Sequence, residues 1–465
     1  MLKLEGVKLS YNDNEIFHDV NFEAHPGEVV VLTGLSGCGK SSLLKVINGI
    51  IPECIDAHVE GTLRYLHHDV LKETISEKSC YLSTVFQNPK TQFYCINSTD
   101  ELAFGLENRA VKREEILKTM DTYTSLLHTK DLLNKDIFSL SGGQKQLLAI
   151  TAVCCLDNDI YLFDEPSASL DRTSIHRFQE VIRILKKAGK IILIAEHRLY
   201  YLKDLLDQVV VLDKRTSFTY GRDLFLHEYD RLAKLHHLRT IEEIEKKDLK
   251  HVKEIHLISD FSVQNSKNNE NGLLCSDFQM KYDQPILHMS IHFDPGVYFI
   301  IGENGVGKST FVKALCKLNK AKGKSIYKEK PIKKSYDFIS MVMQDVNYQI
   351  YTESCFEELS VISQDEDLIL KSLDSVHLLD KKDEHPQTLS GGEKQRLLLA
   401  KAKVSTKPII ILDEPTSGLD RLQMKRMINF LEEMKASGKI VLVITHDYEL
   451  IQSYKANVFE FVRSC

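Results

Sequence analysis

The chain has no tryptophan, no Cys-x-x-Cys pair, no net positive charge and no long apolar run. Each absence narrows the choices. Ten cysteines without zinc-like spacing, two of them adjacent at Cys154 and Cys155, suit neither a disulfide framework nor a cysteine metal site, and point to free thiols in a reducing compartment. A net charge of −6 excludes the global basic field typical of nucleic-acid binders, while leaving room for a local basic patch. The N-terminus "MLKLEGVKLSYNDNEIF" contains no apolar h-region, so no secretory signal is expected. The apolar runs, such as "VVVL" at 29–32 and "IIIL" at 409–412, fall far short of the ~20 residues that span a bilayer and read as buried parallel strands. If the protein works at a membrane, another polypeptide must cross it.

What is present is a repeat. "GLSGCGKSS" (34–42) recurs as "GENGVGKST" (302–310), and "IYLFDEPSASLD" (160–171) recurs as "IIILDEPTSGLD" (409–420). "LSGGQKQ" from Leu140 recurs as "LSGGEKQR" from Leu389, and His197 after "IILIAE" matches His446 after "VLVIT". The spacing agrees as well as the wording: Ser141 to Glu165 and Ser390 to Glu414 are both 24 residues, and each glutamate precedes its histidine by 32. Only the interval from Lys308 to Ser390 is shorter than its counterpart from Lys40 to Ser141, by 19 residues, in a segment that reads as helix and loop. A period of this length holds several strands and helices, so the repeat is two domains in tandem. The expected division is a first domain over 1–240, with its core to about 213 followed by a helical tail, a linker over 241–271, and a second domain over 272–465. In the tail, Leu224, Leu226, Tyr229, Leu232, Leu235, Leu238, Ile241 and Ile244 recur at helical steps. "SVQNSKNNENG" (262–272) is polar and reads as flexible connection.

Both glycine-rich stretches match G-x-x-x-x-G-K-[ST] between an apolar strand and a helix, the setting in which the pattern cradles phosphates. Glycines let backbone N–H groups curl around phosphate oxygens, and the helix N-terminus adds partial positive charge. The residues expected there are Gly34, Leu35, Ser36, Gly37, Cys38, Gly39, Lys40, Ser41 and Ser42, and Gly302, Glu303, Asn304, Gly305, Val306, Gly307, Lys308, Ser309 and Thr310. Lys40 and Lys308 would reach the β- and γ-phosphates, and Ser41 and Ser309 would ligate Mg²⁺. Asp164 and Asp413, at the ends of buried strands, would hold the same metal, and the neighbouring Glu165 and Glu414 would polarise an attacking water. Cys38, near a helix N-terminus, is open to two readings: an activated thiol or a small space-filling residue.

These motifs together resemble the ATP-binding-cassette (ABC) ATPases over essentially the whole chain outside the linker. The resemblance implies an α/β fold with two tandem P-loop NTPase domains, each holding a mainly parallel sheet core, an antiparallel β part and a helical subdomain. It implies ATP with Mg²⁺ as the nucleotide. Ser141, Gly142, Gly143 and Ser390, Gly391, Gly392 would be signature loops, each presented to the ATP held by the other domain. Gln87 and Gln344 would be Q-loop glutamines touching metal and water, Asp171 and Asp420 D-loop residues, and His197 and His446 switch histidines at the γ-phosphate. Tyr11 and Tyr282 would stack on adenine.

The Q-loop flanks "FQNPKTQFYCINSTDELAFGLEN" (86–108) and "VMQDVNYQIYTESCFEEL" (342–359), with "AEHRLYYL" (195–202), resemble the duplicated ATPase of energy-coupling-factor micronutrient importers. That resemblance implies a peripheral place on the cytoplasmic face of the cell membrane. The partners would be a transmembrane coupling protein, docked near Phe86, Phe93, Tyr94, Tyr348 and Tyr351, and a separate membrane subunit that binds the vitamin, vitamin precursor or metal ion. No nucleic acid is expected: residues 214–272 hold 11 Lys/Arg against 10 Asp/Glu, which gives little attraction for phosphate backbones. The alternatives are a soluble tandem ABC ATPase acting on ribosomes or nucleic acid, and a tandem sugar-importer ATPase; the latter typically loses consensus residues in one half, whereas both halves here keep theirs. One departure stands out. The family's arginine after the signature is Arg396 in the second half but Leu147 in the first, which puts equal activity of the two sites in question.

Overall fold

The computed structural model describes the chain apart from Asp13, Ser169, Ser417 and residues 257–271, 282–284 and 463–465. It divides into two compact units, Met1–Glu243 with Gly418–Leu422, and Ile244–Ser417 with Gln423–Cys465.

In the first unit a six-stranded sheet runs in the order Thr216–Gly221, Gln208–Asp213, Val29–Gly34, Ile191–Ala195, Ile160–Asp164, Leu82–Val85. All neighbours are parallel except the first pair. The central strands are apolar along their whole length because helices cover both faces, as parallel strands require. Their side chains alternate between two cores. Val29, Val31, Tyr161, Phe163, Ile192 and Ile194 pack with the helix Arg172–Lys187, and Val30, Leu32, Leu162 and Leu193 pack with the helix Lys40–Asn48 and a small antiparallel sheet. That sheet orders Asn14–Ala24, Leu2–Tyr11, His58–Tyr65 and His68–Asp69. A third cluster joins the helices Ser98–Asn108, Arg113–Leu126 and Gly142–Cys155 into a helical subdomain.

The second unit repeats the plan. Its sheet orders Val252–His256, Asn457–Val462, Gly296–Ile301, Ile440–Ile444, Ile409–Asp413, Ile339–Val342, every pair parallel. The antiparallel sheet orders Pro285–Phe293, Leu273–Lys281, Lys322–Tyr327, Lys330–Pro331. Its helical subdomain holds Cys355–Ser360, Glu366–Ser375 and Gly391–Val404.

Two expectations change here. The tail after residue 213 is not one long helix. It forms two short ones, Arg222–His227 and Tyr229–Leu235, and then turns at His237, whose φ is +54°. Phe225, Leu232, Ala233, Leu238 and Ile241 join the main core, while Leu224 and Leu235 stay exposed. The break follows from how the tail is pinned: the His236 ring bonds Asp213 Oδ2 at 2.8 Å through Nδ1 and the Tyr220 hydroxyl at 3.1 Å through Nε2. The expected linker, 241–271, contains the strand Val252–His256, which pairs in parallel with Asn457–Val462; residues 257–271 lie outside the described residues.

Candidate active sites

Each phosphate loop leaves the central strand of its sheet, where parallel strands end together and backbone N–H groups converge. The glycine dihedrals of the two loops nearly coincide. Gly34, Gly37 and Gly39 have φ of +141°, +81° and +100°, and Gly302, Gly305 and Gly307 have +140°, +77° and +113°. The lysines fold back over their own loops. Lys40 Nζ donates to Gly34 O at 3.3 Å and Leu35 O at 3.1 Å, and Lys308 Nζ donates to Gly302 O at 2.7 Å and Glu303 O at 3.0 Å. Each ammonium thus sits on the inside of the curl, where a phosphate oxygen would meet it. Burial pushes the Cys38 thiol up more strongly than Lys40 draws it down, which speaks for the space-filling reading of Cys38.

The acids meet these loops inside each unit. Ser41 Oγ donates to Asp164 Oδ1 at 2.8 Å, and Ser309 Oγ to Asp413 Oδ1 at 3.2 Å. Desolvation raises both aspartates. Among the described residues no cluster of three His, Cys, Asp or Glu could hold a metal by itself. A hydroxyl–carboxylate pair fits a hard cation that keeps waters and takes its remaining ligands from phosphates, which is the chemistry of Mg²⁺ delivered with a nucleotide.

Glu165 and Glu414 continue the sheet ladder, donating N–H to Ala195 O and Ile444 O at 2.9 Å, yet their φ angles are +46° and +51°. Left-handed backbone at a non-glycine residue costs roughly 1 kcal/mol or more and is found where it aims a side chain. Here it turns each carboxylate toward its histidine. His197 Nε2 is 3.7 Å from Glu165 Oε1, and His446 Nε2 is 3.5 Å from Glu414 Oε1 and 3.2 Å from Asn304 Oδ1. Gln87 Nε2 donates to Glu165 Oε2 at 2.6 Å. Burial, reinforced by Asp164 and Glu196 and opposed by Lys40, pushes the Glu165 carboxyl up to about 7. Burial and the Lys40 charge hold His197 well below the ordinary histidine range, so its ring is neutral at physiological pH. His197 Nε2 is buried without a hydrogen-bond partner among the described residues, as a donor awaiting an anionic ligand would be.

The signature serines each cap a helix through a reciprocal box. Ser141 N donates to Gln144 Oε1 at 3.0 Å and receives Gln144 N–H at 3.3 Å; Ser390 does the same with Glu393 at 2.9 and 3.4 Å. Asp171 caps the helix Arg172–Lys187 through Ser174 N–H at 2.8 Å, and Asp420 stands at the same place before Arg421–Ala436. Tyr11 is half-buried at the end of its strand; Tyr282 lies outside the described residues. Gln344 is exposed.

The difference between Leu147 and Arg396 has a local cause. Arg396 lies 4.0 Å from Glu393, which Lys381 also meets at 3.0 Å. In the first half the glutamate's place is taken by Gln144, so an arginine at 147 would find no acid there. Leu147 is instead buried in the helical subdomain with Leu102, Leu106, Met120 and Leu140. Leu147→Arg will therefore not speed the site that uses the Ser141 signature; it will destabilise the first unit by about 3 kcal/mol through an unpaired buried charge. Chemical denaturation and steady-state ATPase assays check both statements.

Two features escaped sequence reasoning. In each helical subdomain a buried glutamate fourteen residues past the Q-loop glutamine pins the segment between them. Glu101 Oε2 accepts the N–H groups of Tyr94 and Cys95 at 3.0 and 2.8 Å, and Glu358 Oε2 those of Tyr351 and Thr352 at 3.0 and 3.1 Å. The signal was an acid at equal offset in both copies. The second feature is Glu196, buried beside His197. Its Oε1 accepts the N–H groups of His197 and Arg198 at 2.7 and 3.0 Å, and its Oε2 accepts the Tyr201 hydroxyl at 2.9 Å. The second half uses Thr445 there, whose Oγ1 accepts Asp447 N–H at 3.1 Å and bonds the Thr416 hydroxyl at 2.9 Å. Glu196→Ala would strand two backbone donors and a hydroxyl. We expect at least a tenfold fall in first-site turnover, read in a Glu414→Gln background, with Glu196→Gln retaining most of it.

Two phosphate loops, each facing a serine–aspartate pair, a strand-end glutamate and a histidine, match what a scan against family models finds: the family described as "ABC transporter" matches residues 17–168 and 287–417. The chain belongs to the ABC transporter family. It is a tandem ABC ATPase, an ATP-binding and ATP-hydrolysing protein. Over 98% of its length it is 32% identical to a Treponema denticola protein named "Putative ABC transporter ATP-binding protein", covering 94% of that protein. It is 31% identical, over 98% of its length and 89% of the relative's, to "Putative HMP/thiamine import ATP-binding protein YkoD" of Bacillus subtilis. Among solved structures, one named "RNase-L Inhibitor" matches 97% of this ATPase and 87% of that chain with a TM-score of 0.60 and 22% identity, a likeness of fold.

Proposed function

We propose that this ATPase energises a membrane importer of the energy-coupling-factor type, taking up a vitamin, vitamin precursor or metal ion. One observation carries the reading: both halves keep a complete set of phosphate-loop lysine, serine–aspartate pair, strand-end glutamate and histidine in matching geometry. Two working sites suit a cyclic motor. In support, the relative YkoD is named for thiamine-related import, and Tyr94, Tyr348 and Tyr351 lie largely exposed on the segments that Glu101 and Glu358 pin. Side chains held outward by a buried carboxylate suit docking of a transmembrane coupling protein, which would itself carry a separate membrane subunit for the nutrient. In this reading the ATPase lies peripherally on the cytoplasmic face of the membrane. No helix among the described residues is long and apolar enough to cross one.

In this reading Lys40 and Lys308 neutralise the β- and γ-phosphates, with the loop N–H groups spreading the remaining charge. Ser41, Gln87 and Asp164, and Ser309, Gln344 and Asp413, would hold Mg²⁺, which when bound neutralises charge between the β- and γ-phosphates. Glu165 and Glu414 orient and polarise the attacking water for in-line displacement. His197 and His446 donate to the γ-phosphate. The signature groups Ser141–Gly143 and Ser390–Gly392 offer backbone N–H groups and a helix N-terminus to the same oxygens.

A pull-down of the tagged chain from detergent-solubilised membranes tests the proposal. Recovery of a polytopic membrane protein is expected; recovery of ribosomal proteins in its place overturns the importer reading in favour of a soluble ATPase acting on ribosomes.

A further inference from the structure

The halves match closely at their ATP sites but not on their small antiparallel sheets. Between the phosphate-loop helix and the strand Ile339–Val342, residues 316–338 carry eight lysines, at 317, 320, 322, 324, 328, 330, 333 and 334, against Glu329 and Asp337 alone. The corresponding stretch of the first half, 49–81, carries Arg64, Lys72 and Lys78 against six acids. All eight lysines are exposed, and among the described residues none lies within ion-pairing distance of a carboxylate. Ion-paired lysines occur elsewhere, as with Lys3, Lys72, Lys130 and Lys203, but so, among the described residues, do unpaired exposed ones such as Lys112, Lys187 and Lys234; the density of lysines, not their lack of partners, sets this stretch apart.

The fold concentrates this charge. On the strand Lys322–Tyr327, Ser325 and Tyr327 point into the core, so Lys322 and Lys324 share a face with one another. The chain then turns through Lys328 and Glu329, both left-handed at φ +46° and +62°, and Lys330 pairs back on Tyr327. Leu318 and Tyr336 are exposed among the lysines, at 56% and 61%. A dense basic face, without an ion pair among the described residues, on a chain of net charge −6 is complementary to a densely anionic surface.

We propose that the lysine-rich face of the second antiparallel sheet, residues 317–334, binds the anionic headgroups of the bilayer in which the importer's partner sits. The proposal rests on the membrane-coupled reading above and adds a contact that needs no protein partner. Leu318 and Tyr336 would sit at headgroup level, and the lysine stems would lie along the interface. Such a contact holds the ATPase at the membrane while its partner changes conformation. A membrane is favoured over a nucleic acid because the relatives that share this chain's whole length are named as transporter subunits.

The test is co-sedimentation of the full chain with vesicles of phosphatidylcholine, with or without 30% phosphatidylglycerol (about the anionic content that gives a strongly negative surface), free of any membrane protein. Binding to the anionic vesicles alone, lost on raising the salt, is expected. Each lysine near such a surface strengthens binding about fivefold, so the variant Lys322→Gln/Lys324→Gln/Lys328→Gln/Lys330→Gln should bind at least ~10-fold more weakly with its ATPase rate unchanged. A variant with the same charge change at paired lysines, Lys3→Gln/Lys72→Gln/Lys130→Gln/Lys203→Gln, should bind as the parent does. Equal binding to both vesicle types, or equal loss in both variants, overturns the proposal. So does RNA displacing the chain from anionic vesicles at phosphate concentrations well below the lipid's own. Because no partner protein is present, a negative result here leaves the pull-down outcome unaffected, and the two readings fail separately.

Discussion

Replacing both strand-end glutamates, Glu165→Gln with Glu414→Gln, will lower ATP turnover by about 10²–10⁴-fold if, as proposed, they polarise the attacking water. Each single replacement will remove a substantial share of the rate, since both glutamates occupy the same left-handed turn, the same ladder position and the same relation to a histidine. A single replacement that left turnover untouched would show that its site contributes nothing. The Glu165 variant carries a second, opposite signature. The Glu165 carboxyl is pushed up to about 7 by burial and by the neighbouring Asp164 and Glu196. A folded-state value above the unfolded one means that the charged form is disfavoured in the fold. The penalty is absent below the unfolded value, grows as pH rises and is complete above about 7. It amounts to about 3 kcal/mol at most. At pH 8 Glu165→Gln removes it, so the variant should unfold several degrees higher than the parent while hydrolysing far less ATP. At pH 4 the gain should vanish. Thermal scans at the two pH values read this directly, and they separate a lost catalytic carboxylate from a damaged fold.

Gly34→Ala and Gly302→Ala will each empty one nucleotide site. Both residues stand at the point where the central strand becomes the phosphate loop, with φ of +141° and +140°. A Cβ on Gly34 would collide with the carbonyl of Leu212, and one on Gly302 would lie 2.5 Å from Phe461 O. Those carbonyls belong to the neighbouring strands Gln208–Asp213 and Asn457–Val462, so neither can retreat without tearing the sheet. The strained dihedral and the backbone clash together should cost about 3 kcal/mol or more and displace the loop N–H groups. Binding of a fluorescent ATP analogue should fall to one site per chain in either variant. Alanine at Gly37, where the added Cβ meets nothing, keeps the dihedral penalty alone and should be milder.

How much of this was legible in the sequence depends on the kind of residue. Motifs at strand ends were readable because each combines a short apolar run with a residue type only one chemistry needs: "VVVLTG" before Lys40, "IYLFD" before Glu165, "IILIA" before His197. Their duplication at constant spacing gave the two sheets and their order of function. Groups that act on the backbone were not readable. Glu101, Glu358 and Glu196 look like ordinary acids in sequence, and only the fold shows each accepting two N–H groups from a turn that would otherwise be unsupported. The strand Val252–His256 hid for a similar reason. "VKEIH" is half polar because it lies at a sheet edge, and its charged flanks resemble a connector. The helical tail misled through periodicity: Leu232, Leu238 and Ile241 do face one core, but a chain pinned through His236 reaches it by turns as readily as by a helix. Leu147 shows the limit of reading one position alone. Its meaning came from Gln144 three residues earlier, which removes the acid that Arg396 meets in the second half.

If this one chain holds two competent ATP sites, both must retain nucleotide once hydrolysis is blocked. The most direct test is the stoichiometry of ATP retained by the purified Glu165→Gln/Glu414→Gln chain after incubation with Mg²⁺ and radiolabelled ATP at saturating concentration. Two molecules of unhydrolysed ATP per chain are predicted, falling to one when Lys40→Ala or Lys308→Ala is added. One molecule per chain in the starting variant, unaffected by one of the two lysine replacements, would show that only one site is competent.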